Sequence, residues 1–174
     1  MRLGLCAVLT GTALTLGTSG TVTPAATAAE GAGREAGQRA GKERFGPRGF
    51  GGVRLGMSAA RARATGRIKP KPTGGACSGW DLKAYPTGRD RVGLYVSRRH
   101  GVALIFAPRG ARTPRGIGVG STLRQVKRAY PRVRHDTFHY VTVPGNRRAH
   151  YYFMLDRGRV QEMALALKRQ DCVN

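Results

Sequence analysis

Acidic side chains are scarce in this chain: nine Asp and Glu stand against 31 Lys and Arg, for a formal net charge of +22 over 174 residues. Asp81, Asp90, Asp136, Asp156, Glu162 and Asp171 are isolated from one another along the sequence. A glycosidase needs two carboxylates across one cleft, and no spacing here offers a pair. Cysteine is scarcer still. Cys6, Cys77 and Cys172 form no CxxC or four-ligand pattern, which excludes a structural zinc site. The chain has one Trp, and its cations are scattered, with no run of five or six and few aromatics between them. Without a recognised binding motif, specific nucleic-acid recognition is not expected. No apolar stretch approaches the roughly twenty residues of a membrane span, so no transmembrane anchor is expected. Neither an H-E-x-x-H zinc signature nor a G-x-S-x-G nucleophile elbow occurs.

What is present begins with a leader. Arg2 supplies a positive start, residues 3–16 are apolar, and Ala26-Thr27-Ala28 offers a small-residue cleavage site. Residues 1–28 are therefore expected to be a signal peptide and the mature protein to be secreted. Residues 29–44 lack large apolar side chains and read as a disordered Gly/Ala/Arg linker. Residues 45–174 are expected to form a single domain. An even pair in an exported chain, Cys77 with Cys172, predicts a disulfide.

The stretch GIGVGSTLRQVKRAY at 116–130 reads as a short strand, a glycine turn and a helix. Thr122 and Gln125 have the spacing of a capping box, and Leu123, Val126 and Tyr130 share one helical face. Pro131 ends the helix. Upstream, residues 52–58 align with 116–122 without a gap, and Ser58 takes the capping place of Thr122. The Gly118-x-Gly120 pair also resembles a phosphate-binding turn. The repeat explains these glycines as the turn into a helix.

Alternating apolar residues predict hairpins from 92–97 with 101–107, and from 150–155 with 160–167. Further strands are expected at 53–55, 80–85 and 137–143, and the proline-rich 69–75 is expected to be a loop. The fold class is therefore α+β. It comprises two tandem αβββ repeats, about 50–108 and 114–174, forming a mostly antiparallel sheet with helices packed on one face.

The Gly-Met-Ser opening at 56–58 and the Gly-Ser-Thr opening at 120–122, each leading into a helix and an antiparallel meander, resemble the beta-lactamase inhibitory protein architecture. They are also similar to the small outer-membrane assembly lipoproteins, whose helices open with Gly-Met-Thr. As a whole, residues 51–172 resemble uncharacterised secreted proteins of high-GC Gram-positive bacteria. The resemblance implies a sheet used as a binding platform, with no catalytic residues carried over. The chain departs from the inhibitors in having one available cysteine pair, and from the lipoproteins in lacking a lipidated cysteine.

Among aromatic side chains, Tyr151 and Phe153 are expected in the core, while Trp80, Tyr85 and Tyr152 are candidates for an exposed binding surface. His135, His139 and His150 are the candidate metal ligands, with solvated strand-edge histidines as the competing reading. No cofactor is expected. The function expected is a secreted, non-catalytic binding module, an inhibitor of or partner to an extracellular or envelope protein. The alternatives are an electrostatic binder of cell-envelope polyanions and a small secreted hydrolase. GC-rich coding also yields Arg-, Ala- and Gly-heavy chains without selection for binding.

Overall fold

A computed structural model describes residues 44–73 and 75–173, so the expected signal peptide and nearly all of the expected linker lie outside the described residues. The first described segment is tied down at once. Phe45 is fully buried, its amide donates to the Arg112 carbonyl at 2.8 Å, and its own carbonyl accepts from the Tyr151 hydroxyl at 2.9 Å.

Two short strands, β1 (Gly49–Phe50) and β2 (Val53–Arg54), form a separate antiparallel ribbon. Helix α1 (Ala59–Ala64) follows, then β3 (Ile68–Lys71), β4 (Cys77–Leu82), β5 (Leu94–Ser97) and β6 (Gly101–Phe106). Helix α2 (Leu123–Ala129) precedes β7 (Arg134–His135), β8 (His139–Val143), β9 (Asn146–Asp156) and β10 (Arg159–Leu167). The eight strands β3 to β10 make one antiparallel sheet in the order β3-β4-β5-β6-β10-β9-β8-β7. The fold is thus α+β and dominated by its sheet, with two short helices. Each helix is followed by four strands, not the three expected.

The extra strands lie at the sheet's two edges. Pro70 and Pro72 suggested a loop, yet β3 pairs with β4 through Ile68↔Leu82 and Pro70↔Trp80. An edge strand needs hydrogen bonds on one side only, so it accepts a proline that an interior strand would reject. Strand β7 is only two residues long and gives no periodic signal. The strand expected at 117–119 does not form. Ile117 is buried in a turn in which its carbonyl accepts from the Thr113 amide at 2.8 Å.

Side-chain alternation divides the sheet into two faces. Along β10, Met163 and Leu165 enter a large core cluster that also takes Tyr151 and Phe153 from β9, Ala62 from α1 and Val126 from α2. Ala164 and Ala166, of opposite parity, enter a smaller cluster with Leu104. Both helix caps form as expected. Ser58 Oγ accepts from the Arg61 amide at 3.3 Å, and Thr122 with Gln125 completes the reciprocal capping box.

Cys77 and Cys172 are joined, with Cα atoms 5.4 Å apart and a sequence separation of 95. The bond fastens the start of β4 to the C-terminal end. Opening a loop of this size costs at most about 4–5 kcal/mol in the chain-entropy model. Reduction, or Cys77→Ser with Cys172→Ser, should lower the denaturation midpoint, with a loss of unfolding free energy of up to that amount. An unchanged midpoint would mean that the crosslink does not constrain the unfolded chain.

Gly101 tests the packing against the segment before α1. Its φ is +69°, and an added Cβ would stand 2.5 Å from the Met57 carbonyl oxygen. Gly110 has φ +82° and open space. Gly110→Ala should cost about 1–2 kcal/mol for the left-handed backbone alone. Gly101→Ala should cost about 1–3 kcal/mol more, from overpacking. Equal losses in chemical denaturation would show that the segment yields freely.

Candidate functional site: a groove on the open sheet face

The face of the sheet away from the helices carries a groove of about 590 Å³. Its floor is β10, where Ala164 and Ala166 are too small to fill the surface. Register supplies the walls. Ala164 pairs with Phe106 on one side and Tyr152 on the other, and Ala166 pairs with Leu104 and His150. Small residues on one strand between large ones on both neighbours leave a trough along that strand.

The β9 wall is an aromatic ladder. The Tyr140 ring lies 5.0 Å from His150 and 5.9 Å from Tyr152, with His150 and Tyr152 5.7 Å apart. Met154 continues this wall, and Phe106 leans edge-on against Tyr95 at 6.3 Å. Phe138 and Val173, 42% and 37% exposed, stand on the rim. Aromatic rings expose large apolar area with few rotatable bonds, which suits them to anchor a partner.

The lining contains no Lys or Arg, despite the 31 in the chain. Its charged members are Asp136 and Glu162, the latter ion-paired with Arg91. Burial lowers the His150 pKa from its ordinary value, helped by the nearby Lys168 and Arg134 cations. Burial also raises the Tyr152 phenol, with Tyr140 adding to the shift. Both shifts favour the neutral forms of His150 and Tyr152, which offer apolar contact and polar tips in place of charge.

Of the three aromatic candidates, Tyr152 alone lines this groove. Trp80 is 8% exposed within the main core, with the Arg63 guanidinium 5.7 Å from its ring. Its pairing opposite Leu94 in β5 turns it inward, which a single short apolar run could not reveal. Tyr85 is half-buried and its ring lies 5.4 Å from Phe50. Tyr151 and Phe153 are core residues. Among the groove residues missed by sequence reading, Phe138 lies between β7 and β8, while Leu104, Phe106 and Met154 had one usable signal. Strands β6 and β9 are apolar on both parities, where a solvated face should be polar.

The histidines do not converge. His135 and His139 are register partners with rings 4.4 Å apart. His139 shares parity with Val141 and pairs with Phe153, both on the helix-covered side. Burial lowers its pKa first, followed by the His135 and Lys127 charges. His150 packs against Tyr140 on the opposite face, so the three cannot share one ion. Cys77, Asp171 and Cys172 stand at metal-ligand distances, but the two cysteines are already bonded to each other.

Ser97, His100 and Asp171 also come together, the grouping nearest to a hydrolase constellation. Ser97 Oγ accepts from the Arg99 and His100 amides, both at 3.0 Å. Its hydroxyl bonds the Asp171 carboxyl and holds it below the ordinary carboxylate value. Attack would require that proton to go to an imidazole. Here the hydroxyl is committed to a carboxylate and a turn, and 2% exposure encloses the residue. The group acts as a clamp on the β5–β6 turn.

The depressed His150 and His139 pKa values carry a sign. The folded chain resists protonating them, so stability is fully present above the ordinary histidine pKa of about 6.5. It is lost as pH falls through that value toward the lower folded ones. Urea titrations across this range should show declining stability, and His150→Phe, which keeps an aromatic ring beside Tyr140, should flatten the decline. An unchanged slope in that variant would mean that the His150 ring is fully hydrated. Comparison of the chain with protein-family models, with curated proteins and with solved structures finds no match.

Proposed function

We propose that this chain is a secreted, non-catalytic binding module whose open sheet face docks an apolar, aromatic-accepting segment of an extracellular or envelope protein, an enzyme that it inhibits being one such partner. One observation carries the reading. Among the described residues, the most exposed large hydrophobic side chains, Phe138 and Val173, both stand on the rim of a groove that no Lys or Arg lines. Exposed apolar surface is costly in water, and concentrating it in one concave place whose lining has no cation is the pattern of a docking site. The disulfide is of the kind retained in oxidising compartments, which supports export. No helix among the described residues is long and apolar enough to cross a membrane.

The architecture is further read as a tandem duplication. Each capped helix leads into four strands, and the last strands of the two halves, β6 and β10, meet antiparallel at the sheet's centre. A two-fold axis between the halves gives that arrangement. Superposing residues 52–106 on 116–167 tests it. Strands falling in register support duplication, and a shift of one or more residues sinks it.

Docking is tested by capture from the chain's own culture medium and envelope fraction at two salt concentrations. Protein partners held by the groove should remain at high salt and be lost with Phe138→Ser or Tyr152→Ala. Each truncation should cost about 2 kcal/mol or more if these rings are anchors. Capture that vanishes with salt and ignores both substitutions would overturn the reading.

A further inference from the structure

We propose that a second surface, at one end of the sheet, is a binding site for a linear phosphate polymer. It is a cleft of about 1060 Å³ that shares no lining residue with the groove. Strand ends and turns far apart in sequence build it. Arg48 just before β1, Arg54 of β2 and Arg99 of the β5–β6 turn line it, together with Arg147 and Arg148 at the start of β9 and Lys168 just after β10. All six are exposed.

Hydrogen bonds fix the backbone that carries these cations. The Asn146 side chain donates to the Pro47 carbonyl at 2.8 Å and accepts from the Arg148 amide at 3.1 Å. The Lys168 amide donates to the Arg148 carbonyl at 2.9 Å, and the Leu55 amide donates to the Arg48 carbonyl at 2.9 Å. The backbone positions from which these cations extend are therefore fixed around the concavity.

No carboxylate lines the cleft. Neither ion pair found among the described residues, Lys71–Asp81 or Arg91–Glu162, draws on its cations. The acid that interacts with its edge, Asp171, is bonded to Ser97 and lies near His100 and Arg99. Like charges crowded in a cleft repel one another and raise the local potential, and an entering polyanion relieves both effects while releasing its counterions.

The lining also selects among polyanions. Guanidinium forks match phosphate oxygens in pairs. Single-stranded nucleic acid is held largely by stacking on aromatic rings, and no Phe, Tyr or Trp lines this cleft. Its apolar lining is limited to Leu55 and Leu167, and it is concave, which fits a flexible chain better than a flat bilayer. A base-free phosphate chain satisfies all of these conditions.

End-labelled inorganic polyphosphate is the probe, and fluorescence anisotropy with the purified chain is the readout. Binding should be strong at low salt and fall linearly on a log–log plot of affinity against salt. Arg147→Glu with Arg148→Glu should weaken it at least about tenfold and flatten the salt slope. Arg54→Glu with Lys168→Glu, on other segments of the cleft, should do the same and guards against a local folding defect. Arg61→Glu with Arg124→Glu changes net charge equally on the two helices and should weaken binding less than about threefold. Equal losses from the helix and cleft pairs would reduce the effect to net charge and overturn the site. Equal affinity for single-stranded DNA of matched charge would overturn the base-free assignment. Binding to phosphatidylglycerol vesicles without binding to polyphosphate would overturn the polymer assignment.

Discussion

The antiparallel pairing of β6 with β10 is the constraint on which the rest of the structure depends. It joins the two four-strand halves, and its register sets both faces of the sheet together. Leu165 opposite Ile105 enters the core, while Ala164 opposite Phe106 and Ala166 opposite Leu104 build the groove. A slip of one residue would exchange the two sets and put Leu165 where the alanines make the floor. The core therefore specifies the groove. Met163 and Leu165 gain most from burial, and the alanines between them are carried to the open face by the two-residue period of a strand.

The same economy holds at the sheet's ends. Segments that close the core, the β1–β2 ribbon and the β8–β9 turn, also carry arginines, and the Asn146 side chain ties them together. Phe45 and Phe50 pack at 5.8 Å, and Phe45 reaches Tyr151 at 6.0 Å, so the segment carrying these two rings is seated on the second half of the sheet. The disulfide adds a link from the first half to the chain's end. Each half of the chain is thus held by contacts to the other, and the concave surfaces arise where these contacts leave room.

Much of this was legible in the sequence where a signal is local. The Thr122–Gln125 capping box, the Ser58 cap, the two hairpins and the Cys77–Cys172 pair each depend on a short pattern with a definite mechanism. The edges were not legible. Pro70 argues against a strand unless the strand is known to lie at an edge, and that depends on the whole topology. Trp80 was misplaced for a related reason. Whether a residue of a six-residue strand faces the core is decided by its register with β5, not by its own neighbours in sequence. The groove fell between two expectations. Its wall residues are apolar and read as core, while its existence depends on Ala164 and Ala166 lying level with them on a neighbouring strand.

Composition could be taken to explain the arginines without any function, since GC-rich coding enriches Arg, Ala and Gly together. That explanation predicts cations wherever a side chain reaches solvent. They are distributed otherwise. Helix exteriors carry Arg61, Arg63, Arg124, Lys127 and Arg128, and strand ends and turns carry Arg99, Arg147, Arg148 and Lys168. The partly exposed mid-strand positions of the open face carry Tyr140, Tyr152, Met154 and Phe106. A bias acting on codons has no access to sheet parity, so it does not by itself place Arg134, Arg148 and Lys168 at the margins of one face while keeping the centre of that face apolar. What distinguishes these positions is physical. An arginine there would stand over Ala164 and Ala166 and fill the trough with a hydrated charge, and each one absent leaves apolar surface open to a partner.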